Sequence, residues 1–242
     1  MRSRVASPIL SEGSSLIRRE FSGPTLGPYT RAMTVVDREP LTRGRVAYAA
    51  LSLIDENGLD ALSMRKLGAS LGVEAMSLYN HVANKDDLLN AVTDLVYAEI
   101  FRSYGKPAGD WREKARRLAA SYVHAAEAHP ESLPLLIDRP GDTPGGLQLM
   151  DRVASIFDGV TDDLRAPALA FSAVSAYVVG TLIQERSASH AESADPSTAV
   201  ELPDGFEAVA RFRAALRTMS VAERFDEGLE AMLDGIEARY FS

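Results

Sequence analysis

The chain has 242 residues, 46% of them hydrophobic and 25% charged, a composition typical of a globular protein with one large domain or two smaller ones. It has no cysteine, which excludes disulfides, thiolate metal sites and a cysteine nucleophile. The net charge of −8 argues against a nucleic-acid partner for the molecule as a whole. Residues 63–85 differ from this average, because they carry three basic side chains and one acidic one. The sequence thus combines a small, locally basic element with an acidic body.

The first 40 residues are dense in Gly, Pro and Ser and keep no helical period, so we expect residues 1–40 to form a disordered N-terminal extension. The alternative is a basic arm that lies along DNA, carried by Arg2, Arg4, Arg18, Arg19 and Arg31. The start of the chain lacks the continuous apolar stretch of a signal peptide, and no run approaches ~18 apolar residues. We therefore expect a cytoplasmic protein without a membrane span.

Helical patterns occupy residues 41–104. Apolar residues recur every three or four positions through a first predicted helix that reaches Ile54, and through a fourth that opens at Lys85. Two short helical segments, at 63–72 and 74–82, lie between them. Hydroxyl caps at the N-terminal ends and glycines at the C-terminal ends delimit the first two helices, at Thr42, Gly58, Ser63 and Gly72.

The rest of the chain is also helical by pattern. Predicted helices cover residues 111–128, 147–157, 166–185, 206–216 and 221–240. A Pro- and Gly-rich stretch at 130–146 indicates a sharp turn, and a polar stretch at 187–205 indicates a loop. The segment 166–185 is apolar nearly all round, which is typical of a helix buried on more than one side. The sequence contains no alternating strand pattern, so the predicted fold class is all-α.

Residues 63–85 have the pattern of a helix-turn-helix, with a glycine turn between two short helices. In the second helix, Leu78 and Val82 are four residues apart and can face inward together. The opposite face would then expose Met76 and Tyr79, and the wall of a DNA groove explains such exposure, because an α-helix fits the major groove. The alternative is a short surface helix in an unrelated helical bundle.

A family resemblance strengthens the DNA-binding interpretation. The sequence from Leu41 reads LTRGRVAYAALSLIDENGLDALSMRKLGASLGVEAMSLYNHVANKDDLLNAV, with a glycine turn, then Leu-Tyr-x-His, then Asn-Lys-x-x-Leu-Leu. This stretch resembles the DNA-binding domain of the TetR family of transcriptional repressors. Further segments resemble the C-terminal domain of the tetracycline-repressor subgroup: HPESLPLLIDRPGDTPGGLQLMD, AYVVGTLIQE and ERFDEGLEAMLDGIEA. The resemblance covers roughly residues 41–240.

The resemblance implies an N-terminal three-helix, helix-turn-helix DNA-binding domain at 41–88, followed by a larger helical ligand-binding and dimerisation domain at 89–242. It also implies a homodimer on a palindromic operator, paired through the helices at 166–185 and 221–240. Base-reading and phosphate-contacting roles in the recognition of double-stranded DNA are carried over to nine positions: Ser63, Arg65, Ala75, Met76, Ser77, Tyr79, Asn80, His81 and Lys85. Lys66 is interpreted as a solvated surface charge.

The effector region departs from the tetracycline-repressor pattern. Leu135 and Phe101 stand where that subgroup has a metal-binding and a drug-contacting histidine, Ala176 replaces another histidine, and Gln184 replaces a glutamate. Mg²⁺ prefers oxygen ligands in octahedral order, so we expect no metal, no cofactor and no binding of a Mg²⁺–tetracycline chelate. An apolar small molecule is the expected effector, with pocket candidates at Phe101, Leu135, Asp138, Arg139, Met150, Phe157, Tyr177 and Gln184.

The sequence therefore predicts a ligand-responsive transcriptional regulator, a repressor released by a small, largely apolar effector of unknown identity. Two other classes remain open at this stage. One is an all-helical enzyme, although the chain has no GxSxG, P-loop or HExxH motif. The other is a helical interaction module without DNA binding, because Ala75 and Met76 offer few hydrogen bonds to bases. The sequence does not separate repression from activation.

Overall fold

A computed structural model describes residues 40–139, 143–192, 203 and 205–241, and every regular element in that part of the chain is helical. The all-α prediction is therefore confirmed. The α-helices of the described residues are α1 (Arg43–Asn57), α2 (Met64–Leu71), α3 (Ala75–Leu78), α4 (Lys85–Tyr104), α5 (Trp111–Ala128), α6 (Leu133–Asp138), α7 (Pro144–Ile156), α8 (Arg165–Glu192), α9 (Glu207–Arg217) and α10 (Val221–Tyr240). Two short 3₁₀ turns, Leu59–Ala61 and Pro130–Ser132, precede α2 and α6.

The described residues form two compact units. The first unit holds residues 40–108 and 124–158, and therefore contains α1 to α4, the end of α5, α6 and α7. The second unit holds residues 109–123 and 159–241, and contains the start of α5 with α8, α9 and α10. The predicted division by function, at 41–88 and 89–242, remains a prediction. The predictions for residues 1–39 lie outside the described residues.

The ends of α1 and α2 follow from their capping residues. The Thr42 hydroxyl oxygen accepts a hydrogen bond from the Arg45 amide, and that of Ser63 accepts one from the Lys66 amide, each at 3.2 Å. These bonds satisfy amides that a helix N-terminus otherwise leaves unpaired. Gly58 and Gly72 end the two helices with φ of 85° and 69°, a conformation that favours glycine. The predicted caps and stops are confirmed.

Helix α4 is the long element of the first unit, and it packs against α1 and α7. The buried hydrophobic residues of this helix are Leu88, Ala91, Val92, Val96, Tyr97, Ile100 and Tyr104. Helix α7 crosses α4 closely at Gly145, whose amide donates to the Asp94 carboxylate at 2.8 Å. A Cβ at Gly145 would lie 2.9 Å from that of Tyr97, so only glycine permits this approach.

Three predicted boundaries are wrong. The segment 130–146, expected to be a turn, contains helix α6, because Pro134 sits in the first turn of that helix, where proline is tolerated. Helix α7 begins at Pro144 rather than at 147, since the Thr143 side chain caps it through the Gly146 amide. Helix α8 continues to Glu192, through the start of the expected loop at 187–205, most of whose remainder lies outside the described residues.

The second unit is held by contacts of α10 with α8 and α5. The Tyr177 hydroxyl donates towards the carbonyl oxygens of Arg224 and Phe225, each at 3.0 Å. Gly228 makes room for that hydroxyl, because a Cβ there would come within 2.2 Å of it. Further along α10, Arg116 pairs with Glu230 at 2.7 Å, which ties the start of α5 to the C-terminal helix.

Helix α8 is unusually apolar. An 18-residue window within Arg165–Ser187 has a mean hydropathy of 1.7, enough for a membrane span by length and composition, and 28% of that window is buried. The window contains Ser172, Ser175 and Thr181, so it is not an uninterrupted apolar run, and the expectation that the chain has no such run of about 18 residues stands. The helix nevertheless packs along α10, as a helix of a globular domain does. Leu169 and Ile183 remain 46% and 45% exposed.

Candidate nucleic-acid interface and effector region

Helix α3 has one buried side and one exposed side. Leu78 is 0% exposed and Val82, just beyond the helix, is 2% exposed, so both predicted anchors are confirmed. Met76 is 72% and Tyr79 43% exposed, although both are large and apolar or aromatic. The α-helix is shorter than the predicted segment 74–82, because the chain tightens after Leu78 into a turn, with the His81 amide bonded to the Leu78 carbonyl at 2.9 Å.

The nine predicted DNA-contacting residues lie on three neighbouring parts of the first unit: the start of α2, the α3 segment and the first residue of α4. The exposed members are Arg65, Met76, Tyr79, Asn80 and Lys85, and the half-buried members are Ser63, Ala75, Ser77 and His81. Ser63 uses a lone pair for the α2 cap and retains its O–H as a donor. The DNA contacts themselves remain a prediction.

Gly68 sets the distance between α2 and α3. A Cβ at this position would lie 2.8 Å from the Val73 carbonyl oxygen and 3.1 Å from the Ala75 amide nitrogen. Both are backbone atoms, so any larger residue must push the start of α3 away from α2. Sequence analysis missed this residue, although a glycine inside a helical pattern is a signal of close packing.

Arg43 and Asp87 join the beginning of α1 to the first turn of α4. Their side chains form two hydrogen bonds, at 2.7 and 2.6 Å, across 44 residues of sequence. The same carboxylate accepts from the Ala83 amide at 2.8 Å, which fixes the loop that follows α3. The Arg43 guanidinium and this amide lower the pKa of Asp87 to about 2. No local sequence pattern indicates this pair, because its members are far apart in the chain.

A second arginine holds the residue next to Asp87. Arg139, at the end of α6, donates to the Asn90 side-chain oxygen at 2.6 Å and also pairs with the carboxylate of Asp86. The hydrogen bond from Arg139 lowers the pKa of Asp86. Sequence analysis assigned Arg139 to the effector pocket as a polar group, and this assignment remains a prediction. In the structure, its guanidinium binds the side chains of Asp86 and Asn90, which both belong to α4.

His129 is held between two carboxylates. Its Nδ1 lies 2.8 Å from the Asp55 carboxylate on α1, and its Nε2 lies 2.8 Å from the Glu99 carboxylate on α4. Burial alone would lower the pKa of His129, but the hydrogen bonds and charges of the two carboxylates outweigh it and raise the pKa to about 9. The imidazole is therefore protonated at neutral pH. Sequence analysis did not identify this role, because Asp55 and Glu99 are far from His129 in the sequence.

In the first unit, the predicted pocket residues differ widely in how far they are buried. Phe101 is half-buried, and the Arg152 guanidinium lies 4.9 Å from the centre of its ring. Leu135 and Phe157 are 3% and 4% exposed, whereas Met150 is 47% exposed. Asp138 is exposed. Sequence analysis did not identify Arg152, since only the fold brings its cation to an aromatic ring.

The other two predicted pocket residues, Tyr177 and Gln184, belong to the second unit. The Tyr177 hydroxyl donates to the backbone carbonyl oxygens of Arg224 and Phe225 on α10. Burial raises the pKa of this phenol. Gln184 is exposed. Their roles in a pocket remain predictions. Among the residues that the structure describes, no group of three or more His, Asp or Glu side chains is arranged to hold a metal ion.

Two protein-family models match the chain. Residues 48–92 match bacterial regulatory proteins of the tetR family, and residues 105–240 match the tetracyclin repressor-like C-terminal domain. Together they cover both the helix-turn-helix with the start of α4 and the helices that follow it. The second match alone covers more than half of the chain.

Curated relatives extend the similarity along most of the chain. The HTH-type transcriptional repressor DrrR1 of Streptomyces coeruleorubidus is 30% identical over 211 residues, which is 81% of this chain and 77% of that protein. The class D tetracycline repressor protein of Escherichia coli is 31% identical over 204 residues, 82% of this chain and 87% of the repressor.

Among solved structures, apo ActR from Streptomyces coelicolor matches with a TM-score of 0.69 and 29% identity, covering 84% of this chain and 97% of ActR. A second ActR structure, in complex with actinorhodin, matches with a TM-score of 0.68. These relatives share the fold and the DNA-binding segment of this chain, and they are transcriptional regulators.

Proposed function

The chain belongs to the TetR family of transcriptional regulators, and we propose that it is a repressor that binds a palindromic operator as a homodimer and leaves it when a small, largely apolar effector binds. Proteins of this family bind DNA operators and small-molecule effectors and act as dimers. The homologues are transcriptional regulators rather than enzymes, which sets aside the enzyme alternative. The domain at 41–88 would bind DNA, and the domain at 89–242 would bind the effector and the second subunit.

The asymmetry of α3 is the observation that carries this proposal. Its anchor Leu78 is fully buried, while Met76 on the same four-residue helix is 72% exposed. Met76 and Lys85 are both exposed, and an apolar and a basic side chain suit contact with thymine methyl groups and with phosphates. The tetR family match at residues 48–92 and the HTH-type repressors among the relatives favour DNA binding over an interaction module without it.

The contacts divide by chemistry. Ala75, Met76 and Ser77 are the proposed base readers, with Ser77 as the hydrogen-bonding member. Ser63 and Arg65 would reach phosphate or a base edge. The remaining positions would contact phosphate or position the segment on the duplex, and they are Tyr79, Asn80, His81 and Lys85. Because Ala75 and Met76 read mainly shape and methyl groups, the operator preference should depend on groove shape as well as on direct hydrogen bonds.

Dimerisation through α8 and α10 is supported by the apolar surface that α8 leaves uncovered. Only 28% of its most apolar window is buried within one chain, and Leu169 and Ile183 are about half exposed. A second copy of the chain would cover this surface. A two-fold dimer also explains how a four-residue recognition helix achieves useful affinity, because it presents that helix to two half-sites at once.

We propose that the effector is apolar and that the protein binds it without a metal ion. Phe101 and Leu135 offer carbon atoms where tetracycline repressors hold histidines, and Arg152 above Phe101 adds one cation to this surface. ActR has been solved in complex with actinorhodin, which makes this compound a candidate to test as effector. Tyr177 and Gln184 belong to the second unit and are kept as separate candidate contacts for the effector.

The test is selection of the operator from a randomised duplex library with the full-length chain, followed by footprinting of the selected sequence. We expect a palindrome protected over two half-sites, with binding that weakens steeply as salt is added. A protein that enriches no sequence and binds duplexes equally weakly would contradict the proposal. Placing the selected operator before a reporter gene then separates repression from activation.

A further inference from the structure

The first turn of α4 carries two adjacent carboxylates that are held by two arginines from different directions. Asp87 pairs with Arg43 of α1, while Asp86 pairs with Arg139 at the end of α6. Lys85, the proposed phosphate-contacting residue, precedes them directly. Arg139 therefore contacts α4, which begins at Lys85, through an ion pair with Asp86 and a hydrogen bond to the Asn90 side-chain oxygen.

The exposure of Asp86 gives this ion pair an electrostatic consequence. The Asp86 side chain is 70% exposed, whereas the Arg139 side chain is 21% exposed. A carboxylate one residue from a phosphate-binding lysine lies well within the Debye length of the DNA backbone, roughly 10 Å at 0.1 M salt. If its charge were unpaired, it would repel the phosphates and offset part of the attraction of Lys85. Arg139 supplies the compensating positive charge.

We propose that Arg139 is a positioning residue for operator binding, which neutralises Asp86 and fixes its carboxylate against α6, away from the DNA phosphates. The inference rests on the proposed function, because it concerns how that DNA-binding surface is regulated. Any displacement of the end of α6 removes Arg139 from Asp86 and exposes a negative charge beside Lys85.

Arg139 differs in this respect from Arg43. The Arg43 network also holds the backbone around Ala83, so its loss would disturb the loop after α3 as well as the charge balance. The Arg139–Asp86 pair is exposed on its acidic side, and exposed ion pairs contribute little to stability. Changes to it should therefore leave the fold intact and act on DNA binding.

A double-mutant cycle tests the proposal on the full-length protein and its selected operator. We expect Arg139→Ala to weaken operator binding about tenfold at 50 mM salt, since a dimer exposes one carboxylate at each of two half-sites. We expect Asp86→Asn alone to bind at least as tightly as the wild type. The combined variant should bind like Asp86→Asn, because no charge is left for Arg139 to neutralise. The penalty of Arg139→Ala should shrink as salt rises.

The direction in which Asp86→Asn changes operator affinity distinguishes charge neutralisation by Arg139 from mechanical support of α4 by the ion pair. If the pair only braces α4, Asp86→Asn weakens binding as much as Arg139→Ala, and the proposal is wrong. It is also wrong if Arg139→Ala binds like the wild type. Asp60→Asn, which removes an exposed carboxylate in the turn before α2, is the matched control and measures the effect of net charge alone.

Failure of this inference is distinguishable from failure of the proposed function. If the wild-type chain selects no operator, the proposed function fails. If the wild type binds its operator and the cycle shows no coupling between positions 86 and 139, only the inference fails. Circular dichroism and thermal melting establish that each variant is folded. Should Arg139→Ala not fold, Arg139→Gln replaces it, and a tighter-binding or unchanged Asp86→Asn variant is still required.

Discussion

His129 and Asp55 form a hydrogen bond of 2.8 Å across 74 residues of sequence, and it joins the last turn of α1 to the segment that leads into α6. Glu99 of α4 completes the cluster from the other side of the imidazole ring. A protonated histidine between two carboxylates is stable only while all three groups stay together. This cluster therefore locks α1, α4 and the approach to α6 into one arrangement.

The cluster predicts a specific pH dependence of stability. Because the pKa of His129 is raised to about 9 from an unfolded value of 6.5, its stabilising contribution is fully present below pH 6.5 and is lost as the pH rises through 9. Hydrogen bonding to His129 lowers the pKa of Glu99 from its unfolded value of 4.5. The contribution of the Glu99 carboxylate to stability is therefore present above pH 4.5 and is lost as the pH falls through the lowered pKa.

Replacement of the histidine should remove the alkaline part of this profile. We expect His129→Ala to lower the free energy of unfolding by about 2–4 kcal/mol at pH 6.5, because two partly buried carboxylates lose their partner. The difference from the wild type should shrink towards pH 10. Urea unfolding at a series of pH values measures it. A variant that loses the same free energy at every pH would show that packing, and not charge, accounts for the effect.

Gly68→Ala should weaken operator binding even though alanine is the better helix former. Helix propensity alone favours the variant by about 1 kcal/mol. The added Cβ, however, would lie 2.8 Å from a backbone oxygen of Val73, so α3 must shift relative to α2. We expect a helical protein with at least tenfold weaker binding, since contacts at both half-sites are displaced. Fluorescence anisotropy of the labelled operator measures the affinity.

Gly44→Ala is the matched control for this experiment. Gly44 lies in the first turn of α1, and a Cβ there would meet nothing within 4 Å. This variant should keep the wild-type operator affinity and be equally or slightly more stable. If both alanine variants bind equally well, the close approach of α2 and α3 is not required for recognition.

Lys85→Ala should weaken binding to all DNA sequences and flatten the salt dependence. Each lost phosphate contact lowers the slope of log K against log salt by about 0.9, so a dimer that loses two should change by nearly 2. Lys66→Ala is the control, because Lys66 is an exposed basic residue of the same helix-turn-helix without a proposed contact. Equal slopes for the two variants would remove Lys85 from the interface.

Tetracycline with Mg²⁺ should not release the operator at micromolar concentrations of drug. Phe101 and Leu135 cannot ligate a metal, and Gln184 lacks the charge of a carboxylate. Fluorescence anisotropy of a labelled operator measures release, with the class D tetracycline repressor and its own operator as the positive control. Release at micromolar drug would contradict the proposed apolar, metal-free recognition.

Local sequence signals predict those parts of the fold that depend on neighbouring residues. The caps at Thr42 and Ser63 and the glycine stop at Gly72 follow from hydrogen-bonding needs of helix ends, and they occur as expected. Burial of Leu78 and Val82 follows from their spacing. Helix α6 is not predicted from the sequence, because proline usually interrupts a helix. Pro134 lies in the first turn of α6, where proline interrupts no hydrogen bond.

The connections around the candidate site cannot be predicted from the sequence in the same way. Arg43 meets Asp87, and Arg139 meets Asp86, only because the fold brings distant segments together. Two charges of opposite sign occur at many separations in any chain, and nothing local selects the pairs that form. Gly68 does carry a local signal, since glycine weakens a helix unless its lack of a side chain is needed.

The central claim is that the α3 segment enters a DNA groove and that a symmetric dimer presents it twice. Because the chain has no cysteine, Met76→Cys supplies a unique thiol for a DNA-cleaving iron chelate, and Leu216→Cys on α9 is the control. We predict two symmetric clusters of strand breaks in the selected operator, centred about 34–36 Å apart or a multiple of that, from position 76 only. A single cluster, or breaks from position 216 and none from 76, would contradict the claim.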